Sequence, residues 1–364
     1  MRPVLILGGY GNFGKRIARA LTGDGIPVII AGRSAAKAAE LQRQLPQSLV
    51  SVAVFDATVD LGDYLRRDKP CVVVNTCGPF QSADYTIAET CIRHGVHYID
   101  LADGRNFVTG ISRLNKSALA QGISVISGAS TVPGLSSAVV ARYRPEFTVI
   151  DEMRYGISPG QQAERGLATT KAILSYVGKP LNAFPGGGGT AYGWQDIYRQ
   201  DYPGLGKRWM ANCDVPDLDL LTEIYGIGDI RFSAGLEVGA LHLGLWALGW
   251  LVRFGVPLNL PGWAGILLKT SNLFDGVGTA DGGMHVILKG KGTDGKPRTR
   301  RWFIVARQGD GPQIPTIPAI ILSRDIAMGL PVPRGALPCV GLIELDRYIS
   351  ELSAFAIEIT MDTS

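Results

Sequence analysis

The residues best suited to chemistry are three glycines placed to admit a phosphate group. The apolar run Val4–Leu7 leads directly into Gly8-Gly9-Tyr10-Gly11-Asn12-Phe13-Gly14. Gly9, Gly11 and Gly14 have the spacing G-x-G-x-x-G. The three positions serve different ends. One permits a tight turn, one lets backbone amides approach a pyrophosphate, and one lets the following helix sit close to the strand. The anion would rest on a helix N-terminus, where unpaired N–H groups and the helix dipole favour negative charge. We therefore read Gly9, Tyr10, Gly11, Asn12, Phe13 and Gly14 as a phosphate-binding loop. A glycine-rich turn without a ligand is the bland alternative.

The second apolar strand ends Ile29-Ile30-Ala31-Gly32-Arg33-Ser34, with Lys37 one turn on. A carboxylate at that strand tip would bind a ribose 2′-hydroxyl and repel a 2′-phosphate. Arg33, Ser34 and Lys37 suit the phosphate instead, because a planar guanidinium pairs with phosphate and stacks on adenine. The expected cofactor is NADP(H). Asp56, at the end of the third strand, is placed to meet the adenine edge or to cap the next helix.

These residues need a scaffold, and the first third of the chain supplies its pattern. Apolar strands are expected at Pro3–Leu7, Pro27–Ala31, Val50–Phe55, Cys71–Asn75, His97–Leu101 and Ser124–Ser127. Helical patterns lie between them, at Phe13–Leu21, Ala35–Leu45, Gly62–Arg67, Ala83–His94 and Ser112–Gln121. Such alternation builds βαβ units around a parallel sheet. The fold class is α/β: a Rossmann-type, doubly wound parallel sheet, then an α+β domain with a mixed or antiparallel sheet. The expected divisions are 1–132 for the cofactor domain, 133–312 for a substrate and dimerisation domain, and 313–364 for closing helices and a strand that pack back on both. Beyond the helix Leu135–Tyr143, glycine and proline punctuate the chain, most densely at Pro185-Gly186-Gly187-Gly188-Gly189. A hairpin is expected from His285–Lys291 and Thr299–Arg307, then a helix at Ile317–Met328 and a strand at Ala354–Thr360.

Several segments together carry a family resemblance. They are Gly9 to Gly14, Ala31-Gly32-Arg33, Asn75-Thr76-Cys77-Gly78-Pro79-Phe80, Tyr98-Ile99-Asp100-Leu101-Ala102, Gly128-Ala129-Ser130 and Pro133-Gly134-Leu135-Ser136. Over residues 1–140 the chain resembles the saccharopine dehydrogenase-like oxidoreductases, and a weaker likeness continues through Ile230 to Glu237. The resemblance implies a Rossmann domain followed by an α/β domain that caps the nicotinamide and often forms a dimer. It also implies that Gly78, Pro79 and Phe80 line the pyrophosphate and nicotinamide ribose, with Cys77 beside the nicotinamide. Gly128 and Ala129 would approach the carboxamide. The chain departs from the family at Ala102-Asp103-Gly104-Arg105, where many relatives carry Gly-Glu. It also lacks a recognisable lysine-pathway amino-acid site. Gly8, Gly11 and Gly14 fit the short-chain dehydrogenase spacing too, but no tyrosine has a lysine four residues later.

Hydride transfer needs a proton route as well as a cofactor. Asp103 is the first candidate acid or base, followed by Asp100 and Tyr98; a capping or turn role competes for Asp103. Cys77 reads more readily as a small buried packing residue, since no histidine lies near it in sequence to activate it. His94, His97, His242 and His285 show no metal-ligand spacing, and no metal is expected. Five cysteines, none in a CxxC pair, suit a reduced, cytoplasmic setting without a disulfide framework. No secretory signal is read in Met1-Arg2-Pro3.

The net charge of +4 is mild and its basic residues are scattered, which disfavours a nucleic-acid binder. Val238–Val252 is almost wholly apolar, with His242 as its polar break, yet too short to span a bilayer. Trp246 and Trp250 share a helix face. Such a helix must be covered by a core, a homodimer interface, a lipid-like substrate or a membrane surface. A second apolar patch, Trp263 to Leu268, follows. Lys289, Lys291, Lys296, Arg298, Arg300 and Arg301 bracket the hairpin turn and read as a solvated face or a seat for an anionic tail. The leading functional reading is an NADP(H)-dependent oxidoreductase acting on a C=N, C=O or C=C bond of a small or partly hydrophobic metabolite. The competing reading is a non-catalytic NADP(H)-binding regulator or a scaffold at a lipid surface.

Overall fold

The strands follow from runs of branched apolar residues, and their order places the glycine loop. A computed structural model describes residues 1–181 and 190–363. The Pro185–Gly189 run lies outside the described residues. In chain order the strands are β1 (Val4–Leu7), β2 (Val28–Gly32), β3 (Val50–Val54), β4 (Val72–Asn75), β5 (His97–Asp100), β6 (Ser124–Ser127) and β7 (Phe147–Ser158). They continue with β8 (Tyr198–Tyr202), β9 (Gly206–Asn212), β10 (Asp229–Ala234), β11 (Gly282–Gly292), β12 (Pro297–Ala306), β13 (Gly335–Pro338) and β14 (Ile357–Thr363).

The chain divides into two compact units, one of Met1–Leu135 with Gln313–Ile343 and one of Ser136–Pro312 with Glu344–Ser364. The stretch after residue 312 is thus shared between them. In the first unit seven strands form one parallel sheet in the order β13-β6-β5-β4-β1-β2-β3. Strands β1, β4 and β6 are buried throughout, as expected where helices cover both faces of a sheet. The edge strand β3 buries only Val50 and Ala53 fully. Helix α1 (Asn12–Gly23) buries Gly14, Ile17, Ala18, Leu21 and Thr22, a single helical stripe. The chain order reverses between β1 and β4, so their carboxyl-end loops flank the crevice where open α/β sheets bind ligands.

The second unit holds a mixed seven-stranded sheet, β14-β12-β11-β7-β10-β9-β8. Strands β7 and β10 run parallel, and the other pairs are antiparallel. The hairpin β11–β12 pairs Gly282 with Ala306 through to Lys291 with Pro297, so both strands begin earlier than the sequence suggested. Some of its cations are paired: Arg298 and Arg300 meet Glu146, and Lys289 meets Glu152.

The helix expected over Val238–Val252 forms at Gly239–Arg253, but it is not enclosed. Only His242 and Gly249 are fully buried. Leu245, Leu248 and Val252 pack against the cluster of Leu174, Val177, Trp194, Leu260 and Ala264, while the opposite stripe faces outward. One helix face was enough to complete that small core, so the other was left uncovered. No helix among the described residues is long and apolar enough to cross a membrane.

Candidate cofactor site

The glycine loop is held by its own backbone. The Gly8 and Gly9 amides donate to the Ala31 carbonyl at 2.9 and 3.1 Å, and Gly11 N–H donates to the Gly8 carbonyl at 2.8 Å. Gly8 has φ +71°, a conformation that favours glycine. A Cβ on Gly14 would lie 2.4 Å from the Gly8 carbonyl oxygen and 2.7 Å from the Gly9 Cα. Helix and loop therefore touch through bare backbone. A Cβ on Gly11 would meet only the Gly8 oxygen, at 3.0 Å, so its outer side is open. The first helical bond of α1 runs from Lys15 N–H to the Gly11 carbonyl. The N-cap is Gly11, which has no side chain to cap the first turn, and no acidic residue occupies that turn. That is the electrostatic setting an anion requires. From β4, the Thr76 hydroxyl donates to the Leu7 carbonyl at 2.8 Å and ties the two loops together.

The tip of β2 is arranged around Tyr10. Its ring lies across Gly32, where a Cβ would come within 2.6 Å of it, and its hydroxyl accepts from the Ser34 amide at 3.0 Å. Tyr10 thereby joins the glycine loop to the Arg33 turn. Ser34 caps the helix Ala35–Arg43, its Oγ accepting from Lys37 N–H at 3.4 Å. Arg33 and Lys37 are exposed, and among the described residues neither side chain makes an ion pair or hydrogen bond. Asp56 does not cap a helix. Its carboxylate accepts from the Thr58 amide at 2.9 Å and hydroxyl at 2.6 Å, closing a local turn. Those bonds, and further off the Arg33 charge, hold its carboxyl below the ordinary range.

At the ends of β5 and β6 a fully buried carboxylate organises the next loop. One Asp100 oxygen accepts from Gly128 N–H at 2.8 Å, Ser127 Oγ–H at 2.9 Å and Ala102 N–H at 3.0 Å. The Asp100 carbonyl also accepts from Ala129 N–H at 2.8 Å. Burial pushes its carboxyl up to about 6, and these donors act against the rise. Tyr98 is buried as well, its hydroxyl accepting from Asn75 at 3.2 Å. Burial raises that phenol far above its usual range. Asp103 is half-buried; it accepts from Gln81 Nε2 at 3.1 Å, and desolvation raises its carboxyl. Phe80 is turned inward and packs on Phe107, while Cys77, Gly78 and Pro79 are exposed.

A family model described as the saccharopine dehydrogenase NADP binding domain matches residues 4–126. Those residues belong to that family of NADP-binding domains. NADP(H) is the cofactor, and the domain is one of oxidoreductases. Saccharopine dehydrogenase (L-Glu forming) from Saccharomyces cerevisiae has a similar fold, with TM-score 0.68 at 14% identity over 100% of both chains. An amine dehydrogenase from Mycobacterium smegmatis aligns over 94% of this chain and 95% of its own, at 14% identity and TM-score 0.46. Comparison with curated proteins gives no match.

Within this NADP-binding domain, the loops after β1, β2 and β4 all emerge at the carboxyl ends of neighbouring strands. The Asp100–Gly128 contact joins the ends of β5 and β6. Sequence reasoning missed four supporting residues: Asn75, Thr76, Gln81 and Ser127. Asn75 and Ser127 were visible as the polar ends of otherwise apolar strands, and both prove to be hydrogen-bonded linkers. Thr76 and Gln81 carry no comparable signal. The histidines lie in structural settings: His97 Nδ1 accepts from Ser124 N–H, and His285 lies against the Tyr202 hydroxyl at 2.8 Å. The second unit also contains a buried carboxyl with no signal in its sequence neighbourhood, Asp217, which accepts from the Ser136 hydroxyl.

Proposed function

We propose that the chain is an NADP(H)-dependent oxidoreductase acting on a C=N, C=O or C=C bond of a small or partly hydrophobic metabolite. One observation carries the reading: a cradle in which Gly14 admits no side chain stands beside two exposed cations, Arg33 and Lys37, that have no partner of their own among the described residues. The cofactor, when bound, supplies or accepts the hydride. The residues of the chain bind, orient and manage the proton. The α1 amides and the Gly9–Gly14 loop hold the pyrophosphate, and Arg33 with Lys37 takes the 2′-phosphate. Asp100 fixes the position of Gly128. Asp103, oriented by Gln81 and raised by desolvation, holds or releases a proton at its carboxyl closer to neutrality than an exposed aspartate. The five free thiols support a reducing, cytoplasmic setting.

The test is a screen of imines, ketones, aldehydes and enoyl compounds that follows loss of NADPH absorbance. Turnover of any class supports the reading. For that substrate, Asp103→Asn should lower kcat by about a hundredfold while leaving the NADPH Kd unchanged. Tight NADPH binding with no turnover across all classes would favour the non-catalytic regulator.

A further inference from the structure

The stripe of the helix Gly239–Arg253 that leaves the core is apolar along its length. Ala240, Leu243, Gly244, Ala247 and Leu251 are exposed at successive turns, and Phe254 continues the line. Phe254 is 77% exposed. The helix Ala264–Asn272 adds one exposed apolar side chain, Ile266, 67% exposed beside Lys269 and Thr270; Trp263 is exposed just before the helix and Leu273, 81% exposed, just after it. Ordinary surface helices turn a charged face to water, and a contiguous exposed apolar patch marks a contact.

The charge around the patch indicates what that contact is. From 238 to 274 the chain carries Arg253 and Lys269 and not one acidic residue. The helix Leu167–Leu174, packed on the helix Ala264–Asn272, adds the exposed Lys171, and Lys179 follows. Among the described residues none of these four cations makes an ion pair. The acids that flank this stretch in sequence, Glu237 and Asp275, are already bonded to Arg208 and Arg165, at 3.1 and 2.6 Å. Arg253 lies over the rings of Tyr192 and Trp250, at 4.0 and 4.7 Å, so its charge sits at an aromatic border. Apolar side chains, flanking indoles and unpaired cations with no acid between them are the chemistry of an interface lying in the plane of an anionic bilayer. A protein partner or a second copy would be expected to supply acids to meet those cations, yet residues 238–274 carry none to offer a second copy.

We infer that the helices Gly239–Arg253 and Ala264–Asn272 form a docking surface for anionic lipid membranes. The inference stands apart from the cofactor reading and fails separately from it. It is tested by flotation of the full chain with phosphatidylglycerol vesicles and with phosphatidylcholine vesicles. Binding to the anionic vesicles, a blue shift of tryptophan emission and weakening by salt are expected. Phe254→Glu combined with Ile266→Glu should weaken partition by at least about tenfold. Both positions are exposed, so the melting temperature and NADPH Kd should stay unchanged. Arg253→Glu with Lys269→Glu should weaken anionic binding alone. The inference is overturned by no binding to either vesicle, by equal binding to both, or by a variant that floats like the parent. It is also overturned if sedimentation shows a dimer that Phe254→Glu and Ile266→Glu dissociate.

Discussion

The two sheets handle polar groups in opposite ways. In the parallel sheet the strands are apolar nearly throughout, and the polar residues that matter stand at the strand ends or in the loops beyond them. Two of them, Arg33 and Lys37, stay open among the described residues. In the mixed sheet several charged residues stand within the strands and pair with one another. Arg154 meets Asp229 and Glu152, and Lys289 meets Glu152. Half-buried pairs that satisfy each other hold a register, whereas donors left open at a strand tip await a ligand. The first unit thus declares a binding site, and the second declares mainly its own cohesion.

Substitution of the loop glycines should break this contrast most severely. Gly14→Val would drive side-chain carbons into the Gly8 and Gly9 backbone, which cannot move without unravelling the turn. NADPH binding should vanish from a fluorescence titration, and the melting temperature should fall. Gly11→Val meets a single oxygen at 3.0 Å and should leave the fold nearly intact while abolishing binding, because its side chain fills the path of the pyrophosphate. If Gly14→Val titrates like the parent, the loop is not the cofactor seat.

Next in size is Arg33→Asp, which replaces an unpaired cation with a carboxylate facing the 2′-phosphate. Loss of a charge-assisted pair together with repulsion should weaken NADPH roughly a thousandfold, or about 4 kcal/mol. NADH, lacking that phosphate, should change little. Equal losses for both dinucleotides would refute the assignment.

The same contrast explains how much was legible in the sequence. The strands of the parallel sheet could be read because burial on both faces demands uninterrupted apolar runs, and Ser124–Ser127 is found at its expected ends. The glycine loop could be read because each glycine answers a local steric demand. The edge strand β13 joins β6 from more than two hundred residues away, a non-local pairing that no periodicity reveals. Tyr10 was read as a ligand contact, and its bond to Ser34 and its seat on Gly32 depend on the neighbouring strand. The helix Gly239–Arg253 was recognised as apolar, but which face it would bury depended on the size of a core assembled elsewhere in the chain.

The smallest effect concerns the buried carboxyl of the second unit. Asp217 opens the helix Asp217–Tyr225 and is fully buried beside Ser136, and burial pushes its carboxyl from 3.8 up to about 7. The folded state therefore holds a proton there that the unfolded state has released across that interval. Stability should be full below the unfolded value and fall as pH rises toward 7. The whole shift corresponds to about 4 kcal/mol; rearrangement that lets water reach the ionised group recovers part of it, leaving on the order of 2 kcal/mol. Asp217→Asn keeps an acceptor for the Ser136 hydroxyl but removes the titration. In denaturant melts between acid and neutral pH, the parent should lose this increment relative to the variant as pH rises. Parallel pH profiles for the two would mean that Asp217 is ionised in the folded protein, and that the second unit leaves a buried charge as open as the first leaves Arg33.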